Sequence, residues 1–281
     1  MDKDVAVVIG VGGMGQAIAR RIGSGRSLLL ADFNESTLDA VADQLRGEGH
    51  DVTATPVDVS DRGSVSALAD AATGLGRVTH VAHTAGLSPV QASVEAILRV
   101  DLAGVAHALD EFARVVASGG AGVVIASMAG TMAQGRFPAE LEAALAATPT
   151  DDLLSLPFLR PEAVPDPGAA YGMAKRANQL RVQTASLAWG ARGARINSIS
   201  PGVIATPMGQ QELEGASGAF MRAMVEASGT KRLGNPDDIA AAAAFLLGHE
   251  ASFITGTDLL VDGGVIAAIR AGAITLPGSA A

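Results

Sequence analysis

The chain has 281 residues, 48% hydrophobic and 17% charged, a balance that excludes a disordered polypeptide and leaves enough apolar surface for a large core. A net charge of −9 without any Lys/Arg cluster excludes a nucleic-acid surface, and the lack of cysteine excludes disulfides, CxxC redox chemistry and thiolate metal sites. The longest apolar run, Ile239 to Leu247, is too short to span a bilayer, and the chain enters a strand directly after Asp2-Lys3-Asp4 with no signal-peptide core, so a cytoplasmic protein without a membrane partner is expected.

The first strand, near 5–9, is followed by Gly10-Val11-Gly12-Gly13-Met14-Gly15 and a helical pattern over 14–23. Strand, glycine turn and helix are the context that a dinucleotide fingerprint requires. Gly10 permits the tight turn, Gly12 lets a pyrophosphate approach the backbone, and Gly15 allows close helix–strand packing. The loop reads equally as Gly10-x-x-Gly13-x-Gly15. The second strand, 27–31, ends at Asp32, roughly 20 residues past Gly10, where an acid meets the adenosine ribose hydroxyls. Asp32 also reads as a turn or capping acid before Asn34-Glu35-Ser36.

Further strands are expected near 52–57, 78–82, 122–126, 194–199 and 257–261. Helices are expected near 35–46, 61–74, 92–117, 170–189 and 237–247, with a weaker pattern over 210–227. The alternation predicts an α/β fold: a Rossmann-like, doubly wound parallel sheet of about seven strands with helices on both faces, in one domain over 1–281. Two segments break the rhythm, an insert at 131–168 and a Gly/Ala-rich tail from about 265. Within the insert, Ala139–Ala147 reads as a helix started after Pro138 and stopped near Pro149. The segment 151–159 carries enough apolar residues to pack on a neighbour, and Pro161, Pro165 and Pro167 stiffen the return.

That return leads to Tyr171, the only tyrosine, four residues ahead of Lys175. On a helix this spacing puts both side chains on one face, and an ammonium beside a phenol lowers a pKa that is otherwise near 10. The five histidines show no short ligand spacing and are expected to make satisfied polar contacts, with no metal.

An ordered series of motifs resembles the short-chain dehydrogenases/reductases along essentially the whole chain. Asp58-Val59 after the third strand is similar to the family's adenine contact. His83-Thr84-Ala85-Gly86 after the fourth resembles Asn-Asn-Ala-Gly, with His83 in place of an asparagine. Ser127 ends the fifth strand, Tyr171 and Lys175 follow, and Asn197-Ser198-Ile199-Ser200-Pro201-Gly202 with Ile204 and Thr206 resembles the loop that holds the nicotinamide carboxamide. Val261-Asp262-Gly263-Gly264 closes the series, and the long insert makes the chain most like the 3α-hydroxysteroid dehydrogenase/carbonyl reductase branch.

The resemblance implies an oxidoreductase moving a hydride between NAD(H) and a secondary alcohol or ketone, such as a hydroxysteroid or other apolar carbonyl compound. It implies that Gly10, Gly12, Gly13, Met14, Gly15, Asp32, Asp58, Val59, Ala85, Gly86, Tyr171, Lys175, Pro201, Gly202, Ile204 and Thr206 line the cofactor. Tyr171 would act as general base or acid, Ser127 would hold the substrate oxygen, and Lys175 would tune Tyr171 and hold the nicotinamide ribose. Asp101 stands where the family has an asparagine whose main-chain carbonyl supports a water-linked proton relay. Asp32, with no basic residue at Phe33 or in the glycine loop, predicts NAD(H) over NADP(H).

A homo-oligomer, dimer or tetramer, is implied. The insert is expected to pack beside the helix of Tyr171, to shape one wall of the substrate pocket, and to cover the helical face through which most members dimerise. Met208, Met221 and Met224, in the family's lid region, read equally as an adaptable pocket lining or as ordinary packing. A non-catalytic NAD-binding regulator, and an epimerase or dehydratase on the same fold, are the alternative readings.

Overall fold

Strands buried on both faces of a parallel sheet need apolar residues at successive positions, not at alternate ones. The computed structural model, which describes residues 3–274, has seven strands; β1, β2 and β5 are apolar runs of this kind, whereas the edge strand β3 alternates exposed and half-buried residues. In chain order the elements are β1 Asp4–Ile9, α1 Gly13–Ile22, β2 Ser27–Asp32, α2 Glu35–Gly47, β3 Asp51–Pro56, α3 Arg62–Leu75, β4 Arg77–His83 and α4 Val94–Ile97. A π-helical turn, Leu98–Ala103, runs into α5 Gly104–Val115, followed by β5 Ala121–Ile125, α6 Met128–Ala133, α7 Ala139–Ala147, α8 Thr150–Leu153 and α9 Pro167–Ala191. The chain continues through β6 Arg195–Pro201, α10 Pro207–Glu214, α11 Gly218–Ala227, α12 Pro236–Leu247, β7 Asp258–Val261 and α13 Val265–Arg270.

The sheet is parallel throughout, in the order β3-β2-β1-β4-β5-β6-β7. The order reverses between β1 and β4, so a crevice opens there at the carboxyl ends of the strands. Alternate residues of β1 serve opposite faces. Ala6 and Val8 join a core with α1, α2 and α12, while Val5, Val7 and Ile9 join one with α3, α5 and α9. In that second layer Trp189 of α9 is fully buried, its Nε1 donates to the Leu109 carbonyl at 3.1 Å, and its ring lies against Gly122 of β5, where a Cβ would stand 2.7 Å from it.

Several elements depart from expectation, each for a local reason. The helix predicted over 92–117 contains the π-helical turn that carries Asp101. The pattern over 210–227 divides into α10 and α11, and the turn closes tightly enough that any Cβ at Gly218 would fall on the Leu213 carbonyl. The helix α6 was not expected; the Ser127 hydroxyl starts it by accepting from the Ala129 N–H at 3.1 Å. The tail from 265 begins with α13, because Val265 and Ile266 bury against Met128 and Met224. The rest of the tail, 275–281, lies outside the described residues.

Candidate active site

The insert explains how α9 is held. Leu145, Leu153, Leu159 and Val164 bury against Ala170, Met173, Ala174 and Ala177 of α9 and Ile97, Leu98 and Leu102 beneath them, with Tyr171 at the edge of the cluster. Two arginines of α9 fasten this packing. Arg176 donates to the Glu142 carboxylate at 2.8 and 3.0 Å, and Arg181 donates to the carbonyls of Leu145 and Thr148 and to the Thr150 hydroxyl. The insert thus packs beside the helix of Tyr171, as expected.

On its other side α9 meets α6. A Cβ at Gly130 would sit 2.7 Å from the Lys175 backbone, so only glycine lets the two helices approach this closely. This contact carries Ser127, at the start of α6, toward Tyr171, and both residues remain partly accessible from the cleft. Lys175 is buried behind them, with Nζ 5.3 Å from the Tyr171 ring centroid, 3.5 Å from the Ile125 carbonyl and 3.0 Å from Asp101 Oδ2.

Asp101 is fully buried. Its Oδ1 accepts from the Leu87 N–H at 2.8 Å, and its main-chain carbonyl, the group expected to support a water-linked relay, accepts from Asn178 Nδ2 at 2.9 Å. Burial pushes the Asp101 carboxyl upward in pKa and works against the Lys175 ammonium, yet Asp101, Tyr171 and Glu212 together hold Lys175 above its ordinary value. Oδ1 is thus hydrogen-bonded, whereas Oδ2 faces the ammonium across the 3.0 Å ion pair and has no formed hydrogen bond among the described residues.

Tyr171 differs from the expectation set by its spacing to Lys175. Burial raises its pKa; Lys175 lowers it, Asp101 raises it, the Ser127 hydroxyl lowers it and Glu212 raises it, and the net shift is upward. His83 also differs. It is buried, with no hydrogen-bond partner for either ring nitrogen among the described residues, and burial together with Lys175 holds its pKa down to about 3, so the ring is neutral.

The nucleotide end of the crevice is built from backbone. Gly10 has φ +90°, and a Cβ there would lie 2.5 Å from the Ala85 nitrogen. Ala85 itself donates to the Ile9 carbonyl, which sets Ala85-Gly86 beside the glycine loop. At Gly15 a Cβ would fall on the Gly10 carbonyl, so α1 rises directly from the turn, whereas at Gly12 it would meet nothing within 4 Å. Gly12 is the N-cap of α1 and supplies no side-chain cap, which leaves the first N–H groups of that helix and its positive dipole end for an anion.

Met14 packs partly into the core behind the loop, and Gly13 touches the Thr206 side chain. Thr206 starts α10, and Pro201, Gly202 and Ile204 lead to it, with Gly202 donating to the Val261 carbonyl and Ile204 bridged to Gly234. The Asp32 carboxylate accepts from the N–H groups of Val11 and Asn34 at 2.8 and 2.9 Å and keeps lone pairs for further donors. At the end of β3, Asp58 Oδ1 accepts from Ser60, while the Val59 side chain is in the core and its carbonyl lies 3.0 Å from His107 Nδ1. An open cradle of N–H groups, with an acid at the end of the adjacent strand, fits a dinucleotide.

The glycine loop, Asp32, Asp58, Val59, Ala85, Gly86, Ser127, Pro201 and Gly202 lie at or just after the carboxyl ends of strands, whereas Asp101 is on the π-helical turn and Tyr171 and Lys175 are on α9. Sequence reasoning did not single out Asn178, Leu87, Gly130 or Glu212. Asn178 had a usable signal, a polar residue three positions after Lys175 on the same helical face. Glu212 on α10 accepts from the buried Ser88 hydroxyl at 2.6 Å and ties that helix to the segment after β4. Of the lid methionines, Met224 is core and Met221 packs beside it with Leu213 and Phe220, while Met208 joins no cluster. Among the described residues no group of three His, Asp or Glu could hold a metal, and no helix is long and apolar enough to cross a membrane.

Comparison with known proteins agrees along the chain. A family model described as short chain dehydrogenase matches residues 4–139, and one described as Enoyl-(Acyl carrier protein) reductase matches 152–266. The short-chain dehydrogenase/reductase bsc3 of Alternaria brassicicola is 46% identical over 95% of this chain and 97% of its own. D-threitol dehydrogenase of Mycolicibacterium smegmatis is 30% identical over 94% and 93%. A variant of actinorhodin polyketide ketoreductase, solved with NADPH, superposes with a TM-score of 0.72 at 22% identity over 94% of this chain and 97% of that one, a likeness of fold. The chain belongs to the short-chain dehydrogenase/reductase family, oxidoreductases that use a nicotinamide nucleotide.

Proposed function

We propose that this protein interconverts a secondary alcohol and a ketone with NAD(H), in one domain that both binds the cofactor and carries the catalytic groups. The observation that carries the reading is the convergence of Ser127, Tyr171 and Lys175 beside the glycine cradle at the β1/β4 crevice. When bound, the nicotinamide supplies or accepts the hydride. The residues do the rest. Ser127 donates a hydrogen bond to the substrate oxygen where charge develops. Tyr171 exchanges a proton with that oxygen. Lys175 sets the electrostatics of the phenol, and the N–H groups at the start of α1 hold the pyrophosphate.

Asp32 supports NAD(H): it can accept from both ribose hydroxyls and repels a 2′-phosphate, and its neighbour Phe33 is an exposed apolar side chain with no charge to offset that repulsion. The apolar cluster of Met128, Met132, Leu213, Phe220 and Met221 beside Ser127 favours an apolar carbonyl compound, of the kind a hydroxysteroid exemplifies, and the docked insert supports a role in walling that pocket. Cytoplasmic residence and a homo-oligomer, dimer or tetramer, complete the reading. With the insert covering one face of α9, the exposed Leu187, Phe245 and Phe253 favour assembly through another.

The test is turnover. Purified protein is incubated with NAD(H) or NADP(H) and a panel of steroids, aliphatic secondary alcohols and ketones while absorbance of the reduced cofactor is followed. Turnover with NAD(H) on an apolar member is expected. Nucleotide binding with no turnover on any member would favour the non-catalytic regulator.

A further inference from the structure

A lysine near a tyrosine usually acts as a lone cation that favours the phenolate. Here the cation does not act alone. Lys175 Nζ and Asp101 Oδ2 lie 3.0 Å apart, both side chains are buried, and the Leu87 N–H and Asn178 carboxamide fix Asp101 from its carboxylate and its carbonyl. At the Tyr171 ring, 5.3 Å from Nζ, the field is therefore that of a dipole rather than of a unit charge. The other groups facing the phenol are the Ser127 hydroxyl at the start of α6 and the Glu212 carboxylate on α10, while His83 on β4, which faces Lys175, is neutral.

We propose that Asp101 is a positioning residue that cancels the charge of Lys175 toward Tyr171, so that Tyr171 stays a phenol through the neutral range and the site is set for carbonyl reduction. This rests on the hydride-transfer reading above for its direction, but not for its electrostatics. In the favoured step the Tyr171 O–H bond breaks and its proton goes to the carbonyl oxygen. A bound reduced nicotinamide would supply the hydride that the carbonyl carbon gains and would be oxidised by that transfer, and the Tyr171 phenolate regains a proton from water. The upward shift of Tyr171 agrees with this arrangement.

Because Tyr171 is the only tyrosine, tyrosinate absorbance of the cofactor-free protein titrates this one hydroxyl. Wild type is expected to form no tyrosinate in the folded state below about pH 10, the free-phenol value. Asp101→Asn should lower the midpoint by about one pH unit or more, Glu212→Gln should lower it by less, and Lys175→Met should raise it. A wild-type midpoint below that of free phenol, or an Asp101→Asn curve superimposed on wild type, overturns the proposal.

If Asp101→Asn does not fold, as judged by circular dichroism, the double variant Asp101→Asn/Lys175→Met removes both charges together. Its midpoint should stay within about half a unit of wild type, and a rise of about one unit or more would mean that Lys175 alone controls Tyr171. With a substrate found by the turnover panel, the pH midpoint of alcohol oxidation should fall in Asp101→Asn by the same amount as the titration; a lower rate with an unmoved midpoint would reduce Asp101 to a structural role. The titration does not depend on turnover, so the absence of any substrate counts against the proposed function and not against this pair.

Discussion

The two ends of the crevice are built from different materials. At the end where we propose that the nucleotide binds, the groups on offer are main-chain N–H groups, and the side chains there are mostly absent: Gly10, Gly12, Gly13 and Gly15. At the end proposed for proton transfer the groups are side chains held under cover, with Lys175 and Asp101 buried, Asn178 bracing Asp101, and α6 and the insert pressing on α9. A backbone cradle depends on the path of the chain and is written as a spacing of glycines. A buried charge cluster depends on which residues the fold brings together.

The largest expected effect isolates the proton end. Tyr171→Phe keeps the ring and removes the hydroxyl, so turnover should fall about 10²–10⁴-fold while nucleotide affinity in equilibrium titration stays near wild type. Loss of nucleotide binding in that variant would show that the two ends are not separable. Next comes the packing that seats the catalytic helix. Leu153 is fully buried between the insert and α9, and Leu153→Ala should cost about 2–5 kcal/mol in denaturant unfolding and open the insert to proteolysis. Unchanged stability would make the insert an appendage.

A smaller effect tests the nucleotide end. Wild type should prefer NAD(H) at least about tenfold in kcat/KM, equivalent to about 1.4 kcal/mol, and Asp32→Asn should narrow that ratio with little change in turnover. Equal use of both nucleotides by wild type would contradict the role given to Asp32.

The smallest concerns the outer support of the Pro201–Thr206 segment, where Gly234 bridges to Ile204 and Asp238 closes the capping box of α12. The Arg232 guanidinium and the Asn235 N–H hold the Asp238 carboxyl down to about 2, below its ordinary 3.8. A depressed carboxylate stabilises fully above its unfolded pKa and loses that contribution as pH falls through the folded one. Stability should therefore decline between about pH 3.8 and 2 in wild type. Asp238→Asn, less stable by no more than about 1 kcal/mol near neutrality, should lack this part of the decline in acid titrations monitored by circular dichroism.

Much of the architecture was legible because its signals are local. Doubly buried strands are runs such as Val5-Ala6-Val7-Val8-Ile9 and Leu28-Leu29-Leu30, and the insert helix Ala139–Ala147 is bracketed by prolines. The glycine loop, Asp32 and the Tyr171–Lys175 spacing could be placed for the same reason, whereas Ser127 was placed by its resemblance to the family motif. What escaped was either too short for a pattern, as with α6 and α13, or set by tertiary contact. The widened turn at 98–103 leaves no mark in a helical periodicity. The upward shift of Tyr171 comes first from burial, with Asp101 adding to it against Lys175, and neither exists until the π-helical turn and α9 have packed. His83 was expected to find a polar partner, and among the described residues neither ring nitrogen has one.

Trp189 gives the catalytic helix an optical label of its own. It is the only indole in the chain, and its environment is defined by the Leu109 carbonyl and the bare backbone of Gly122. Emission from this residue reports the seating of the carboxyl half of α9 on the sheet, with no second fluorophore of its class to subtract. Ionisation of the single phenol on the same helix is read as a tyrosinate absorbance change and docking as indole emission, so one cuvette can follow both ends of α9.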